Sequence, residues 1–166
     1  MPQKRNISFG IITFVLSCGL MLAGCQGPDT EAENKKPPSG CSLLTTEEAA
    51  YLVGKPVEPG AGSMLGCGWA PKGETMSYLN LQVKKSPNSP DHYLGLSPED
   101  GTRFKKVEDL GHEAVIAVRE GDVLVLMAWK GPWQIKFTVG FLDIKPDSEG
   151  FQRLKATAKK ALAKLE

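Results

Sequence analysis

Two apolar runs joined by a short polar turn constrain the fold of this chain more than any other feature. Residues 114–118 (AVIAV) and 123–129 (VLVLMAW) carry apolar side chains at every position, which indicates strands that are buried on both faces. Glu120-Gly121-Asp122 lies between them and predicts a tight turn. The two runs therefore predict a hairpin of two central strands in a sheet.

Two further segments alternate between apolar and polar side chains, which is typical of half-buried strands. In Tyr78–Val83 the predicted inward residues are Leu79, Leu81 and Val83. In Gln134–Phe141 they are Ile135, Phe137, Val139 and Phe141, with Gln134, Lys136 and Thr138 outward. Lys130-Gly131-Pro132 connects the last strand to the one before it, so the pairing should be antiparallel.

Helices are predicted at both ends of this strand region. Thr45 and Glu48 have the spacing of a capping box, Leu44 and Ala49 that of a hydrophobic staple, and Gly54 ends the helix. A second helix, 148–165, has one apolar stripe, formed by Phe151, Leu154, Ala158, Ala161, Leu162 and Leu165. The expected fold class is α+β: a mainly antiparallel sheet with an N-terminal and a C-terminal helix packed on one face.

The N-terminal segment has the organisation of an export signal. Lys4 and Arg5 precede an uncharged apolar run from Ile7 to Leu22, which is short for a membrane span and suits a signal peptide. The run ends in Leu22-Ala23-Gly24-Cys25, which resembles the lipobox of bacterial lipoproteins. The resemblance implies cleavage after residue 24 and lipidation of Cys25. An ordinary signal peptide or an uncleaved anchor is the alternative.

The remaining chain divides into a tether and one domain. Residues 25–40 follow the signal peptide of residues 1–24, and from Gln26 onward they contain no apolar residue larger than Ala, so they are expected to form a flexible tether. Residues 41–166 have the size of a single α+β domain. Removing Lys4 and Arg5 reduces the 20 basic residues to 18, against 19 acidic ones. This balance gives no reason to expect a nucleic-acid partner.

Three cysteines remain after cleavage, namely Cys25, Cys41 and Cys67. If Cys25 is lipidated, Cys41 and Cys67 form an even pair, which in an oxidising compartment indicates a disulfide. Half of a zinc site is the competing interpretation. Such a disulfide would join the first helix to a strand around Cys67-Gly68-Trp69.

Several segments of the domain resemble small secreted bacterial lipoproteins that carry a domain of unknown function. The resemblance rests on Cys-Ser-Leu-Leu-Thr at 41–45, Gly54-Lys55-Pro56-Val57, Cys67-Gly68-Trp69 and Asp109-Leu110-Gly111-His112-Glu113-Ala114, where His112 replaces the usual Asp. It implies a fold and a disulfide. It carries over no catalytic residue, cofactor or metal ligand.

A search for chemical motifs predicts no catalytic residue, cofactor or metal. His92 and His112 have no second ligand at zinc spacing, and no Gly-x-Ser-x-Gly elbow occurs. The glycine-rich stretch 60–66 lacks a P-loop lysine and is expected to be a flexible loop. Met64, Met76 and Met127 are too scattered to indicate a soft-metal site.

Three aromatic side chains are the candidates for partner binding. Trp129 and Trp133 flank a predicted hairpin turn, and Tyr93 lies in the long connection 86–103 on a short helix that Ser89-Pro90 could begin. Both tryptophans are expected on one face of the sheet, with at least one of them packed against the C-terminal helix. Their role would then be in the core and not in recognition.

These observations predict a membrane-tethered bacterial lipoprotein that displays a small non-catalytic binding domain in the cell envelope. The membrane is contacted through the lipid on Cys25, and an envelope protein is a possible partner. In a Gram-negative host, Gln26 after the lipidated cysteine favours the outer membrane. The alternative is an envelope enzyme or enzyme inhibitor whose site carries no recognisable motif.

Overall fold

The computed structural model describes residues 36–86, 88–119 and 122–165. The predicted signal peptide, Cys25 and residues 26–35 of the predicted tether lie outside these ranges, as do Glu120 and Gly121 of the predicted turn. In the described ranges no helix combines the length and apolar character needed to cross a bilayer.

Four helices and seven strands are present in these ranges. The helices are α1 (Gly40–Leu43), α2 (Thr46–Val53), α3 (Pro90–Leu94) and α4 (Glu149–Ala163). The strands are β1 (Ala61–Ser63), β2 (Gly66–Trp69), β3 (Tyr78–Lys85), β4 (Arg103–Lys106), β5 (Ala114–Arg119), β6 (Val123–Lys130) and β7 (Trp133–Gly140).

All seven strands form one sheet in the order β1-β2-β3-β7-β6-β5-β4, and every neighbouring pair is antiparallel. The prediction of a mainly antiparallel sheet with helices is therefore confirmed. The apolar runs 114–118 and 123–129 are interior strands, as predicted. The glycine-rich stretch was expected to be a loop, but it pairs Ala61–Ser63 with Gly66–Trp69 as an edge hairpin.

The inner face of the sheet carries the main core. Phe137 is fully buried and lies between Leu81 of β3 and Leu126 of β6, its partners in the two ladders. The stripe predicted for the terminal helix is buried in the same cluster, at Phe151, Leu154, Ala158, Ala161, Leu162 and Leu165. Sheet and helix thus exclude water from one continuous apolar volume.

Each long helix begins and ends as its sequence dictates. Thr45 Oγ1 accepts from the Glu48 amide at 3.2 Å, and Glu48 Oε2 accepts from the Thr45 amide at 3.0 Å, which completes the capping box. Gly54 ends α2 in the left-handed conformation, with φ at 80°. Ser148 caps α4 by accepting from the Phe151 amide at 3.1 Å.

Polar contacts join α2 and the preceding turn to α4. Lys164 Nζ donates to Leu43 O at 2.9 Å and to Glu48 Oε2 at 3.0 Å. Arg153 Nε donates to Leu52 O at 3.3 Å. The bonds to Leu43 O and Leu52 O satisfy carbonyl oxygens at the ends of short helices, where no intrahelical donor exists.

A disulfide joins Cys41 of α1 to Cys67 of β2, as predicted, and closes a chain separation of 26 residues. A loop of this size is worth about 3.5 kcal/mol in the chain-entropy description. Gly40, the last residue of the predicted tether, is already buried, and a side chain there would collide with the Leu81 carbonyl. The packed part of the chain therefore includes the residue before Cys41.

The two tryptophans do not share a face, so that part of the prediction is wrong. The hairpin turn has two residues, Gly131 and Pro132, and not three, because Lys130 pairs with Trp133. A change of one residue in register reverses the face of every side chain that follows. Trp133 consequently joins the main core with α4, whereas Trp129 faces the other side of the sheet.

Two more inward and outward assignments fail near the ends of β7. Phe141 was expected to point inward, but its φ of 54° ends the strand at Gly140 and leaves the ring 48 % exposed. Gln134 was expected at the surface and is fully buried on the outer face. Alternation predicts the face of a residue but not what covers that face.

We predict that Glu48→Gln destabilises the domain at neutral pH by roughly 1 kcal/mol, because it weakens the capping box and the contact with Lys164. Partial burial raises the pKa of Glu48, but the hydrogen bonds from Thr45 and Lys164 outweigh burial and leave the pKa below 4.5. A carboxylate with a lowered pKa stabilises the fold above its unfolded pKa, and this contribution is lost as the pH falls through the folded pKa.

Urea unfolding of wild type and Glu48→Gln between pH 7 and pH 3 checks this prediction. The stability difference should shrink as the pH falls below about 4.5. Glu149→Gln is the matched control, because Glu149 is 88 % exposed and its ion pair within the described ranges is with Arg153 on its own helix. A Glu48→Gln effect that is independent of pH would contradict the assignment.

Candidate functional site

A cleft of about 440 Å³ opens at the β4 edge of the inner face, where β4, β5 and the start of β6 meet the segment after β7. It is lined by Arg103, Lys105, Val118, Arg119, Asp122, Val123, Leu124, Leu142, Ile144, Lys145 and Pro146. Its floor is apolar, since Leu124, Leu142 and Ile144 are buried. Four of the lining residues are basic and one is acidic.

The cleft exists because the apolar pattern of the inner face stops at β4. Lys105 pairs with Ile116, and Arg103 with Val118, so both basic side chains occupy inner-face positions. Phe104 between them faces the other side of the sheet. Charged residues at inward positions of an edge strand end the core there, because they are too costly to bury.

The rim of the cleft is positive. Arg119 Nη2 pairs with Asp100 Oδ2 at 2.8 Å, and Lys145 lies 3.4 Å from Asp143. Across the described ranges, Arg103 and Lys105 have no acidic side chain within ion-pair distance. An anion that enters the cleft would therefore meet at least two cations that no described carboxylate neutralises.

The acid next to the rim is held ionised. Hydrogen bonds from Thr102 lower the pKa of Asp100, and Arg119 beside it lowers the pKa further. Asp100 Oδ1 accepts from the Thr102 amide at 3.1 Å. Asp100 therefore stays charged at neutral pH and holds the Arg119 guanidinium at the side of the cleft.

Two residues with left-handed backbone lie beside the cleft, and one of them, Asp122, lines it. Asp122 at the start of β6 has φ of 59°, and Phe141 after β7 has φ of 54°. The Phe141 amide donates to Asp122 O at 3.0 Å, which fixes the two conformations together. Because a bulky residue rarely adopts this conformation, the turn at Phe141 is a constrained feature. It directs Leu142 and Ile144 into the cleft floor.

The aromatic residues proposed for partner binding are separated by the sheet. Tyr93 and Trp129 are neighbours on the outer face, with ring centroids 5.7 Å apart, and Phe104 lies 5.9 Å from Tyr93. Trp133 lies on the opposite face, and only 3 % of it is exposed. Trp129 is 8 % exposed. Both indoles are therefore buried and present little surface to a partner.

Both histidines are exposed, and each has different neighbours. His92 lies on α3 in edge contact with the Tyr93 ring, at 5.3 Å between centroids. His112 lies in a wide, open depression formed by the 107–113 connection, beside Glu108 and Glu113. In the described part of the chain no three His, Cys, Asp or Glu side chains converge as a metal site requires.

A polar cluster is buried on the outer face, where the sequence had suggested solvent. Gln134 is completely buried and pairs directly with Trp129 across the ladder. Neither the Gln134 amide nor Trp129 Nε1 has a hydrogen-bond partner among the described residues. Buried polar groups of this kind reduce stability.

The sequence reasoning missed the cleft because its signal lies in a strand that was not predicted. Arg103-Phe104-Lys105-Lys106 has a single apolar residue, so no alternation was visible. The available signal was the reverse pattern: basic, aromatic, basic, separated from the apolar hairpin by the connection 107–113. This pattern identifies inward-facing basic residues only when the pairing of β4 with β5 is known, and a single sequence does not reveal that pairing.

We predict that Gln134→Met stabilises the domain by roughly 1–2 kcal/mol, because it replaces an unpartnered buried amide by an apolar side chain of similar length. Thermal and urea unfolding measure the change. Gln82→Met is the control: Gln82 is only half-buried and also lies on the outer face, two strands from Trp129. A loss of more than about 1 kcal/mol for Gln134→Met would show that the amide is well satisfied.

Comparison with known proteins adds no assignment to this geometry. A scan of protein-family models gave no match, and neither curated proteins nor solved structures gave a significant one. The functional interpretation therefore rests on the residues of this chain alone.

Proposed function

We propose that this chain is a membrane-tethered lipoprotein of the bacterial cell envelope, whose domain binds a small anionic ligand with an apolar part in the β4-edge cleft. The observation that carries the binding proposal is the placement of Arg103 and Lys105 over an apolar floor. The proposal for the anchor rests on Leu22-Ala23-Gly24-Cys25 after the apolar run.

The lining of the cleft suits binding by two complementary parts. The apolar side chains of Leu124, Leu142 and Ile144 line the cleft, which favours an alkyl or aromatic group in the ligand. The guanidinium of Arg103 and the ammonium of Lys105 favour a carboxylate or a phosphate ester. A volume of about 440 Å³ lies in the usual range for a small-molecule site.

The position of the cleft in the fold supports its use as a binding site. The helix α4 lies against β6 and β7, and the cleft lies beyond them, at β5 and β4. An antiparallel sheet supports its lining, and the left-handed turn at Phe141 leads into Leu142, which lines it. Sites on rigid elements lose little conformational entropy when a ligand binds.

The lipid anchor predicts that metabolic labelling with an alkynyl fatty acid marks the wild-type chain and that Cys25→Ser abolishes the label. The thiol of Cys25 would be the acylated group, and the variant would also move from the membrane to the soluble fraction. Cys18→Ser is the control, because Cys18 lies inside the apolar run. Equal labelling of wild type and Cys25→Ser would contradict lipidation at Cys25.

The cleft predicts that decanoate binds more tightly than 1-decanol, which has the same alkyl chain but no charge. In Arg103→Gln/Lys105→Gln, the affinity for decanoate should fall roughly tenfold, because two partly exposed charge contacts of about 0.7 kcal/mol each are lost. The affinity for 1-decanol should change little. Isothermal titration calorimetry measures all four combinations.

Lys159→Gln/Lys160→Gln is the matched control, since both lysines are exposed on α4 and remove the same charge. It should leave the affinity for decanoate within about twofold, apart from a small general electrostatic effect. The binding proposal is wrong if decanoate and 1-decanol bind equally well, or if the β4 variant and the α4 variant weaken decanoate binding equally.

A further inference from the structure

The β1–β2 hairpin ends in two exposed apolar side chains. Met64 is 101 % exposed and Leu65 is 73 % exposed. They form the turn between Ser63 and Gly66, at the free edge of the sheet. Exposure of two adjacent large apolar side chains to water is unfavourable, and such exposure is typical of a surface that binds a partner or a membrane.

The hairpin lies beside the point where the chain arrives from the predicted tether. Gly62 of β1 pairs with Cys67, and a side chain at Gly62 would stand 3.8 Å from the Cys41 sulfur. Gly40, just before Cys41, packs against Cys67 and the Leu81 carbonyl. The disulfide therefore fixes the hairpin to the first packed residues of the domain.

A basic side chain lies beside the hairpin at the same end of the sheet. A side chain at Gly66 would collide with the backbone of Leu81 and crowd that of Gln82, so the turn before Gly66 lies next to the last residues of β3. One of those residues is Lys84, which is exposed. An apolar tip with a neighbouring lysine is suited to an anionic lipid surface, by insertion and by charge.

Two groups of acidic residues lie at this end. Glu47 and Glu48 begin α2, and Glu48 pairs with Lys164 at 3.0 Å. Glu108, Asp109 and Glu113 belong to the connection between β4 and β5. In the sheet order, β5 is separated from β2 by β3, β7 and β6, a distance of roughly 19 Å, so a lipid surface can touch the hairpin edge without bringing the carboxylates of that connection to it.

We propose that Met64 and Leu65 insert into the interface of the membrane that holds the tether, with Lys84 against its anionic headgroups. This inference rests on the lipid anchor proposed above. The tether of 15 residues between Cys25 and Cys41 has a reach of roughly 20 Å, so it keeps the hairpin near the bilayer.

This docking orients the binding cleft. Lys85 and Lys130 flank Trp133 at the hairpin end of the sheet, whereas Arg103, Val118 and Leu124 pair at the opposite strand ends. The two ends are roughly 23 Å apart along an eight-residue strand. The cleft would then open away from the lipid, toward the aqueous phase.

Tryptophan substitutions at two exposed apolar positions test the insertion. Leu65→Trp places an indole at the hairpin tip, and Met76→Trp places one before β3, at the cleft end of the sheet. Met76 is 68 % exposed and so offers a matched replacement, while Trp69, Trp129 and Trp133 are at most 8 % exposed and supply the background. Each full-length, membrane-extracted variant is reconstituted into phosphatidylcholine–phosphatidylglycerol vesicles with brominated acyl chains.

Brominated lipid should quench the emission added by Leu65→Trp several times more strongly than that added by Met76→Trp, and only the former should shift to shorter wavelength. Flotation of the vesicles reports the lipid anchor separately. Protein that floats but shows no quenching at position 65, or equal quenching at both positions, overturns the docking and leaves the anchor intact. Protein that does not float overturns both.

Discussion

Burial of the α4 stripe against the inner face of β6 and β7 is the interaction on which the rest of this structure depends. Phe137 stands at the centre of that face, between Leu81 and Leu126, and Leu154 and Leu162 of the helix are as fully buried. Burying an apolar side chain of this size contributes about 1.5–3 kcal/mol. The helix α2 adds Leu52 and Ala49 to the same volume, and its bonds to α4 keep the two helices in register.

The limited width of this helical layer explains the candidate site. The helices α2 and α4 do not cover all seven strands. The apolar core therefore ends before the edges of the inner face are reached. On the β2 side, the end is closed by the disulfide and by α1. On the β4 side, Arg103 and Lys105 take the inward positions and a cleft is left over Leu124. The cleft therefore results from two features. The apolar core ends before β4, and basic residues occupy the inward positions of that strand.

The sequence predicted the elements better than it predicted their surroundings. The runs 114–118 and 123–129 read as central strands, and the capping box at Thr45 located α2, because both signals are local. The face of Trp129 depended on whether the turn before Trp133 has two or three residues, and Lys130-Gly131-Pro132 is compatible with both. Phe141 lies outside β7 because its φ angle is in the left-handed region. Gln134 is buried although it occupies a position that alternation assigns to solvent. The strand β4 has no apolar alternation, and only its pairing with β5 identifies it as a strand. These outcomes are set by long-range contacts, which periodicity does not encode.

Binding of an anion with an apolar part in the β4-edge cleft is the proposal on which the function of this domain depends. Amide chemical shifts during a titration of the isotopically labelled protein with decanoate locate the ligand without altering any residue. If decanoate occupies the cleft, the largest shifts cluster at Val118, Leu124 and Leu142. Shifts centred on the 107–113 connection or on the outer face around Trp129, or no saturable shifts at all, would contradict it.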